Sequence, residues 1–331
     1  MMTDSSNGSV ERNLQLTGNT TFTVSLPKSW AIGQGLEAGD SMYLYPYRDR
    51  VVVAPASLEP ARRTARIDAS SLDAAAVCHR VREAYTAGND RIEVVDTDGL
   101  DRDLRREAIG LVDRLVGMAI QAEDHERIVA HDLLDPTDVS LSQSTAQLRQ
   151  HALEIHREAI EAVCTDDQTL AKRVLHRVAD VDRQVAFVTR GFHRGLEDVT
   201  EISRLDADRS SAFRSYRIGR TLEAVGTHAE RIATVSLSQP TPPGDGLAAA
   251  LEAVEADART ALSIALEGDG ERAITARAAA LEAIEDLEGD LAAGEYPEAQ
   301  THLCGSILEN VRRTAELSTD IPHDSDEHTD D

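Results

Sequence analysis

Only three of the 331 residues are cysteine, Cys78, Cys164 and Cys304, and no two of them stand in a C-x-x-C spacing. An odd, scattered set argues against a disulfide framework and a thiolate zinc site, and leaves small buried hydrophobes as their expected role. Aromatic residues are scarce at 3%, although 41% of the chain is hydrophobic, and Ala, Leu and Val carry most of that apolar mass. Small aliphatic side chains suit helix packing better than a β-sandwich. No run approaches 18 consecutive apolar residues, so membrane insertion is not expected. The opening MMTDSSNGSVERN has neither the basic start nor the apolar stretch of a signal peptide, and a cytoplasmic location is expected. A Gly-x-Ser-x-Gly elbow, a Walker loop and a dinucleotide fingerprint are all missing, which argues against an enzyme.

Lysine is nearly missing too: Lys28 and Lys172 stand alone among 34 basic residues, and the net charge is −25. An acidic, lysine-poor surface stays hydrated in concentrated salt, so a halophilic cytoplasm is expected. The charge is unevenly spread. Residues 1–60 hold four basic and six acidic side chains, a net −2, which leaves −23 for residues 61–331.

What is present sorts into three stretches. Over 12–56, Leu14, Leu16, Phe22, Val24 and Leu26 alternate with polar residues and read as short strands broken at Gly18-Asn19-Thr20. Pro27 opens a helical turn that Gly35 closes, and a second alternation follows through Met42, Leu44 and Val51-Val52-Val53. Some 45 residues of this kind bury too little surface to fold alone, so dimerisation through interleaved strands is expected. Residues 64–140 mix classes: helices over about 71–87 and 102–117, and strands at 92–95, 118–122 and 127–130.

From Ser142 onward every segment has helical period. The second of six helices carries Leu170, Val174, Val178, Val181, Val185 and Val188 as a continuous seam. Pro240, Pro242 and Pro243 break the pattern after the third helix. Leu222-Glu223-Ala224-Val225 with Ala229-Glu230 recurs as Leu308-Glu309-Asn310-Val311 with Ala315-Glu316. That recurrence indicates a duplicated three-helix unit. The tail after Pro322 is acidic and expected to be disordered.

Two family resemblances rest on these residues. Gln15-Leu16-Thr17-Gly18, Thr23-Val24-Ser25-Leu26-Pro27-Lys28-Ser29-Trp30 and Gly35-Leu36-Glu37-Ala38-Gly39-Asp40 closely resemble the AbrB/SpoVT swapped-hairpin family. Those domains are obligate dimers that dock paired strands and loops on double-stranded DNA. Leu170-Ala171-Lys172-Arg173-Val174 and Glu223-Ala224-Val225-Gly226-Thr227-His228-Ala229-Glu230-Arg231-Ile232 resemble PhoU phosphate-signalling proteins, which are built from two three-helix bundles. Together the halves resemble an archaeal PhoU-type regulator with an AbrB-like head. The implied fold is multidomain and mainly α. It comprises an AbrB-like β-hairpin dimerisation and DNA-binding head at 10–57, a small α/β connector at 62–140, and two tandem PhoU-like three-helix bundles at 142–239 and 244–320, with an acidic tail at 321–331.

On that resemblance the DNA-contacting candidates are Arg12, Gln15, Thr17, Asn19, Thr20, Thr21 and Lys28, cations for phosphate and directional polar groups for base edges. Arg48 and Arg50 read as hairpin-turn residues. Counterion release loses its driving force in high salt, so binding there would rest on hydrogen bonds, shape and two-fold avidity.

PhoU proteins can also hold iron or zinc clusters through Glu-x-x-x-Asp, whose carboxylates lie one helical turn apart. Here Thr227 follows Glu223 and Arg313 follows Glu309 at that spacing. A cation at a ligand position opposes a metal, so no cofactor is expected. Glu223 and Glu309 read instead as buried-face carboxylates satisfied by Arg or backbone donors. His151 and His156, five apart, do not share a helical face, and His125 and His131 lack cysteine partners. They read as surface or hydrogen-bonded histidines.

The function expected is a homodimeric transcriptional regulator of phosphate-responsive genes. The alternative is an adaptor of a phosphate transporter ATPase or sensor kinase whose head only dimerises.

Overall fold

The computed structural model describes residues 9–18, 20–46, 50–55, 63–134, 140–197, 201, 207–294, 296 and 298–321. The chain divides into two units, Met1–Ala61 and Arg62–Asp331.

The first unit is two antiparallel hairpins around one short helix. Strands β1 (Gln15–Thr17) and β2 (Thr21–Thr23) pair Leu16 with Phe22. Helix α1 (Lys28–Gly33) starts after Pro27, and Gly35 at φ +70° turns the chain out of it. Strands β3 (Met42–Pro46) and β4 (Val51–Pro55) set Tyr43 against Ala54 and Tyr45 against Val52. The expected order of elements is present, but not one described residue of 9–55 is buried. Leu14, Leu16, Phe22, Val24 and Ile32 are all more than half exposed. A lone two-stranded hairpin is marginal in water even with a hydrophobic face.

The second unit begins with a mixed four-stranded sheet. Its strands β5 (Thr64–Asp68), β6 (Arg91–Val95), β7 (Met118–Glu123) and β8 (Arg127–Asp132) lie in the order β5-β6-β8-β7. β5 and β6 run parallel, joined by helix α2 (Ala74–Thr86), while the β7–β8 hairpin is antiparallel and sets β8 against β6. Helix α3 (Arg102–Val112) precedes the hairpin. Ile67, Ile92, Val94, Ile128 and Ala130 of the sheet share one core with Val77, Val81 and Tyr85 of α2 and Leu104, Ala108 and Leu111 of α3. α2 starts three residues later than its periodicity suggests because the Asp73 carboxylate caps it, accepting from Ala76 N at 2.7 Å. α3 stops five residues early. Gly117, at φ +82°, turns the chain into β7 at a point where a Cβ would stand 2.7 Å from Leu134 Cβ.

Six helices follow: α4 (Leu141–Thr165), α5 (Gln168–Glu197), α6 (Arg209–Ser238), α7 (Asp245–Leu266), α8 (Gly270–Ala292) and α9 (Glu298–Glu316). Acids that give the chain its charge also start these helices. Asp167 accepts from Leu170 N, Asp208 from Ser211 N and Asp269 from Arg272 N, satisfying first-turn donors that have no partner inside the helix. Leu148 and Ile155 of α4, Val174 and Val181 of α5, and Leu222, Val225 and Ile232 of α6 pack into a core that continues through Leu251, Ile284, Leu308 and Val311 of the last three helices. One apolar core thus runs through both three-helix sets. Gly219 and Gly226 let α6 approach α5 closely. A Cβ at Gly226 would stand 3.3 Å from Val181 Cγ1.

The α/β layer is held on α5 by buried charge. Arg190, 4% exposed, donates from Nη1 to the Tyr85 and Asn89 carbonyls, both at 2.8 Å, and from Nη2 to Asp132 Oδ2 at 2.6 Å. Its guanidinium carbon lies 4.9 Å over the Tyr85 ring. Arg194 donates to Asp90 at 2.5 Å and to Glu201 at 2.9 Å, and His193 Nδ1 lies 2.8 Å from Thr86 O. α2 has no basic residue in its own last turn. α5 supplies the cations that its C-terminal carbonyls attract.

Candidate functional site

Three places in the chain concentrate polar chemistry. The first is the head surface. Gln15 and Thr17 lie on β1, Thr21 on β2, Thr20 in the turn between them and Lys28 at the start of α1, all of them exposed. Thr17 Oγ1 is 3.1 Å from Thr23 Oγ1. Part of this polar face is therefore engaged across its own hairpin. Arg12 reaches only the carbonyl of Glu11, at 2.9 Å. Asn19 and Arg48 lie outside the described residues.

The second place is the Glu223 turn of α6. Glu223 is half-buried and hydrogen-bonded by Arg220, and Thr227 bonds back to the Glu223 carbonyl at 3.1 Å. Burial raises the Glu223 carboxyl above its ordinary pKa, against the pull of Arg220, and the nearby Asp182 of α5 adds to the rise. Burial raises Asp182 as well, against Arg82, whose Nη1 lies 3.8 Å from its carboxylate. Arg82 comes from α2, so the α/β layer adds a second guanidinium near these carboxylates. In the second helical set Glu309 is exposed, not on a buried face as its repeat position suggests, and Arg313 donates to it at 2.7 Å. Among the described residues no three His, Cys, Asp or Glu side chains gather as a metal site requires.

The third place is the joint between the two helical sets. His156 of α4 is fully buried, with Nδ1 3.1 Å from Glu255 of α7 and Nε2 3.0 Å from Thr314 Oγ1 of α9. His228 of α6 brings Nδ1 to 2.8 Å from the same hydroxyl, and Arg259 donates to Glu255 at 3.1 Å. His228 and Thr314 are 86 residues apart, the spacing that carries Leu222 onto Leu308. His156 and Glu255 are 99 apart, the spacing that carries the buried Leu148, Ala152, Ile155 and Ala159 onto the buried Leu247, Leu251, Val254 and Ala258. Equivalent positions of the two sets thus meet each other, as they do across a two-fold axis.

His156 Nδ1–H donates to the Glu255 carboxylate, which can only accept. His228 Nδ1–H donates to Thr314, whose hydroxyl also lies 3.1 Å from Asn310 O. Burial, with His156 and Arg231 nearby, pushes His228 down to a pKa of about 4.

The repeat offset alone would have found the His228–Thr314 pair. Nothing in the sequence pairs Arg82 with Asp182 or Arg190 with Asp132. Among the described residues no helix is long and apolar enough to cross a membrane.

Residues 145–235, spanning most of α4, all of α5 and most of α6, match the family model of the PhoU domain. No curated protein matches the chain. Proteins of the PhoU family are regulators rather than enzymes, and the domain implies a role in regulating phosphate uptake or signalling.

Proposed function

We propose that this chain is a dimeric, DNA-binding regulator of phosphate uptake, with an AbrB/SpoVT-like head at 10–57, an α/β connector at 62–140 and PhoU-like helical sets at 142–239 and 244–320. The observation that carries the head's part is its lack of any buried described residue, set against Phe22 at 66% and Leu16 at 59% exposure. Burying one such side chain contributes about 1.5–3 kcal/mol, and a second copy with interleaved strands is the partner that places the two alternations face to face. The resulting two-fold surface carries Arg12, Gln15, Thr17, Asn19, Thr20, Thr21 and Lys28. The 86-residue offset supports the second set as a copy of the first. Lysine scarcity and a charge of −25 support a halophilic cytoplasm.

The test uses the full chain in concentrated potassium chloride. Phe22→Asp should convert a dimer into a monomer in sedimentation. Genomic fragments enriched by immunoprecipitating the chain should be retarded in gels, and Arg12→Ala and Lys28→Ala should each weaken retardation about tenfold. Unchanged binding by both variants would remove these residues from the interface.

A second reading is favoured by the head's lack of net positive charge, with four basic and four acidic side chains over residues 10–57. In it the head only dimerises, and the helical sets act as an adaptor for a phosphate transporter ATPase or a sensor kinase. A dimer with no localised enrichment on the chromosome would select it.

A further inference from the structure

Where α3 ends against α4 and α5, a cleft of about 410 Å³ opens between the α/β layer and the PhoU domain. Arg114, just past α3, and Arg183 of α5 line it, together with Gln147 of α4 and Gln184 of α5. Several of these groups are not used by the fold. The Gln184 carbonyl oxygen is buried without a hydrogen-bond partner, an exception among buried polar atoms. Neither Arg114 nor Gln147 makes a side-chain hydrogen bond or ion pair among the described residues, whereas Arg105, Arg106, Arg127, Arg149 and Arg177 each face a carboxylate. Arg114, just beyond the cap of α3, rests with Nη1 over Gly110 of that helix, and its flexible side chain is able to turn toward the cleft it lines. Arg183 is exposed and held loosely, at 3.2 Å, by Asp180.

Two guanidinium groups suit a tetrahedral dianion, which offers more acceptor edges than one carboxylate. The acceptors in the same wall, Gln184 Oε1 and Asp113, call for hydroxyl donors on the same molecule. Leu115, Val116 and Phe187 leave an apolar side for a short carbon skeleton. The volume lies in the range of small-molecule pockets. We propose that this cleft binds a small hydroxylated phosphoester, a sugar or polyol phosphate, with its phosphate on Arg114 and Arg183 and its hydroxyls on Gln184 and Asp113.

Such a ligand touches α3 on one side and α4 and α5 on the other. It therefore stabilises the docked arrangement of the α/β layer on the PhoU domain. The inference goes beyond the regulatory function proposed above and does not rest on it, since DNA binding and cleft occupancy are measured separately.

Calorimetric titration of the full chain at constant potassium chloride tests it, with ribose 5-phosphate, inorganic phosphate and ribose as probes. Ribose 5-phosphate should bind at least tenfold more tightly than either of the other two. Arg114→Gln should weaken it tenfold or more. Gln184→Leu should erase its advantage over inorganic phosphate while leaving inorganic phosphate binding unchanged. If Arg114→Gln melts at a lowered temperature, Arg183→Gln, at an exposed position, must show the same loss. Absence of saturable binding, equal affinity for ribose 5-phosphate and inorganic phosphate, or wild-type affinity in the soundly folded arginine variant would overturn the proposal.

Discussion

Replacing Arg190 with alanine should loosen the α/β layer from the PhoU domain at a cost of roughly 3–5 kcal/mol. Three acceptors lose a donor at once: the Asp132 carboxylate, which keeps the Leu134 N–H, the Tyr85 carbonyl, which keeps the Gly88 N–H, and the Asn89 carbonyl. Asp132 and Asp90 are each less than one-fifth exposed, so neither regains full hydration. Burial pushes Asp90 upward, yet the Arg63 N–H, Arg194 and Arg190 together outweigh it and hold the carboxyl below its ordinary pKa. Removing one of those cations returns part of the burial penalty. Arg190→Lys should recover little, because one ammonium cannot reach two carbonyls and a carboxylate in the plane of a guanidinium. Hydrogen exchange separates this effect from general destabilisation. Amides of β6 and β8 should lose protection in Arg190→Ala, while those of α7 and α8 keep theirs. Equal loss throughout would show that Arg190 does not hold the layer specifically.

Acidification should open the joint between the helical sets, with His228 as the responsible group. Its ordinary pKa is near 6.5, and in the fold it falls to about 4. Above pH 6.5 both folded and unfolded chains carry the neutral ring, and His228 adds no pH dependence. Between 6.5 and about 4 the unfolded chain takes up a proton that the folded chain refuses, so stability declines as pH falls across that window. The full span corresponds to about 3 kcal/mol. His156, Arg231 and Arg313 oppose a proton on the ring, and Glu309 favours one without outweighing burial and these neighbours. His228→Gln keeps an N–H for Thr314 but cannot titrate. Denaturant midpoints measured from pH 7 to 4 should fall less steeply for that variant than for the parent. Parallel slopes would assign the acid sensitivity to the carboxylates instead.

Much of the fold is legible because its signals are local. The α5 seam of Val174, Val181, Val185 and Val188 is buried as its spacing requires, and Pro240, Pro242 and Pro243 lie between α6 and α7. Helix starts follow Asp and Ser, because the capping bond spans only three residues. The head shows where such reasoning stops. Alternation in Leu14, Leu16, Phe22 and Val24 marks strands with an apolar face, but a period of two does not say whether that face meets its own chain or another. Glu309 makes the same point in the helices. Its repeat equivalent Glu223 is half-buried, a difference that the shared motif does not carry.

By itself the amino-acid order determined most segments of helix and strand, though not β5, that the chain ends in about six helices, and that its net charge is strongly acidic. Those properties depend on side chains within a few residues of one another. Tertiary structure alone decided that Arg190 meets Asp132 58 residues away, that His156 meets Thr314 158 residues away, and that Arg114 is left uncommitted beside a cleft. A charge or a ring nitrogen gains its partner, and its pKa, from whatever folding brings within about 4 Å. Periodicity along the chain carries no information about that distance.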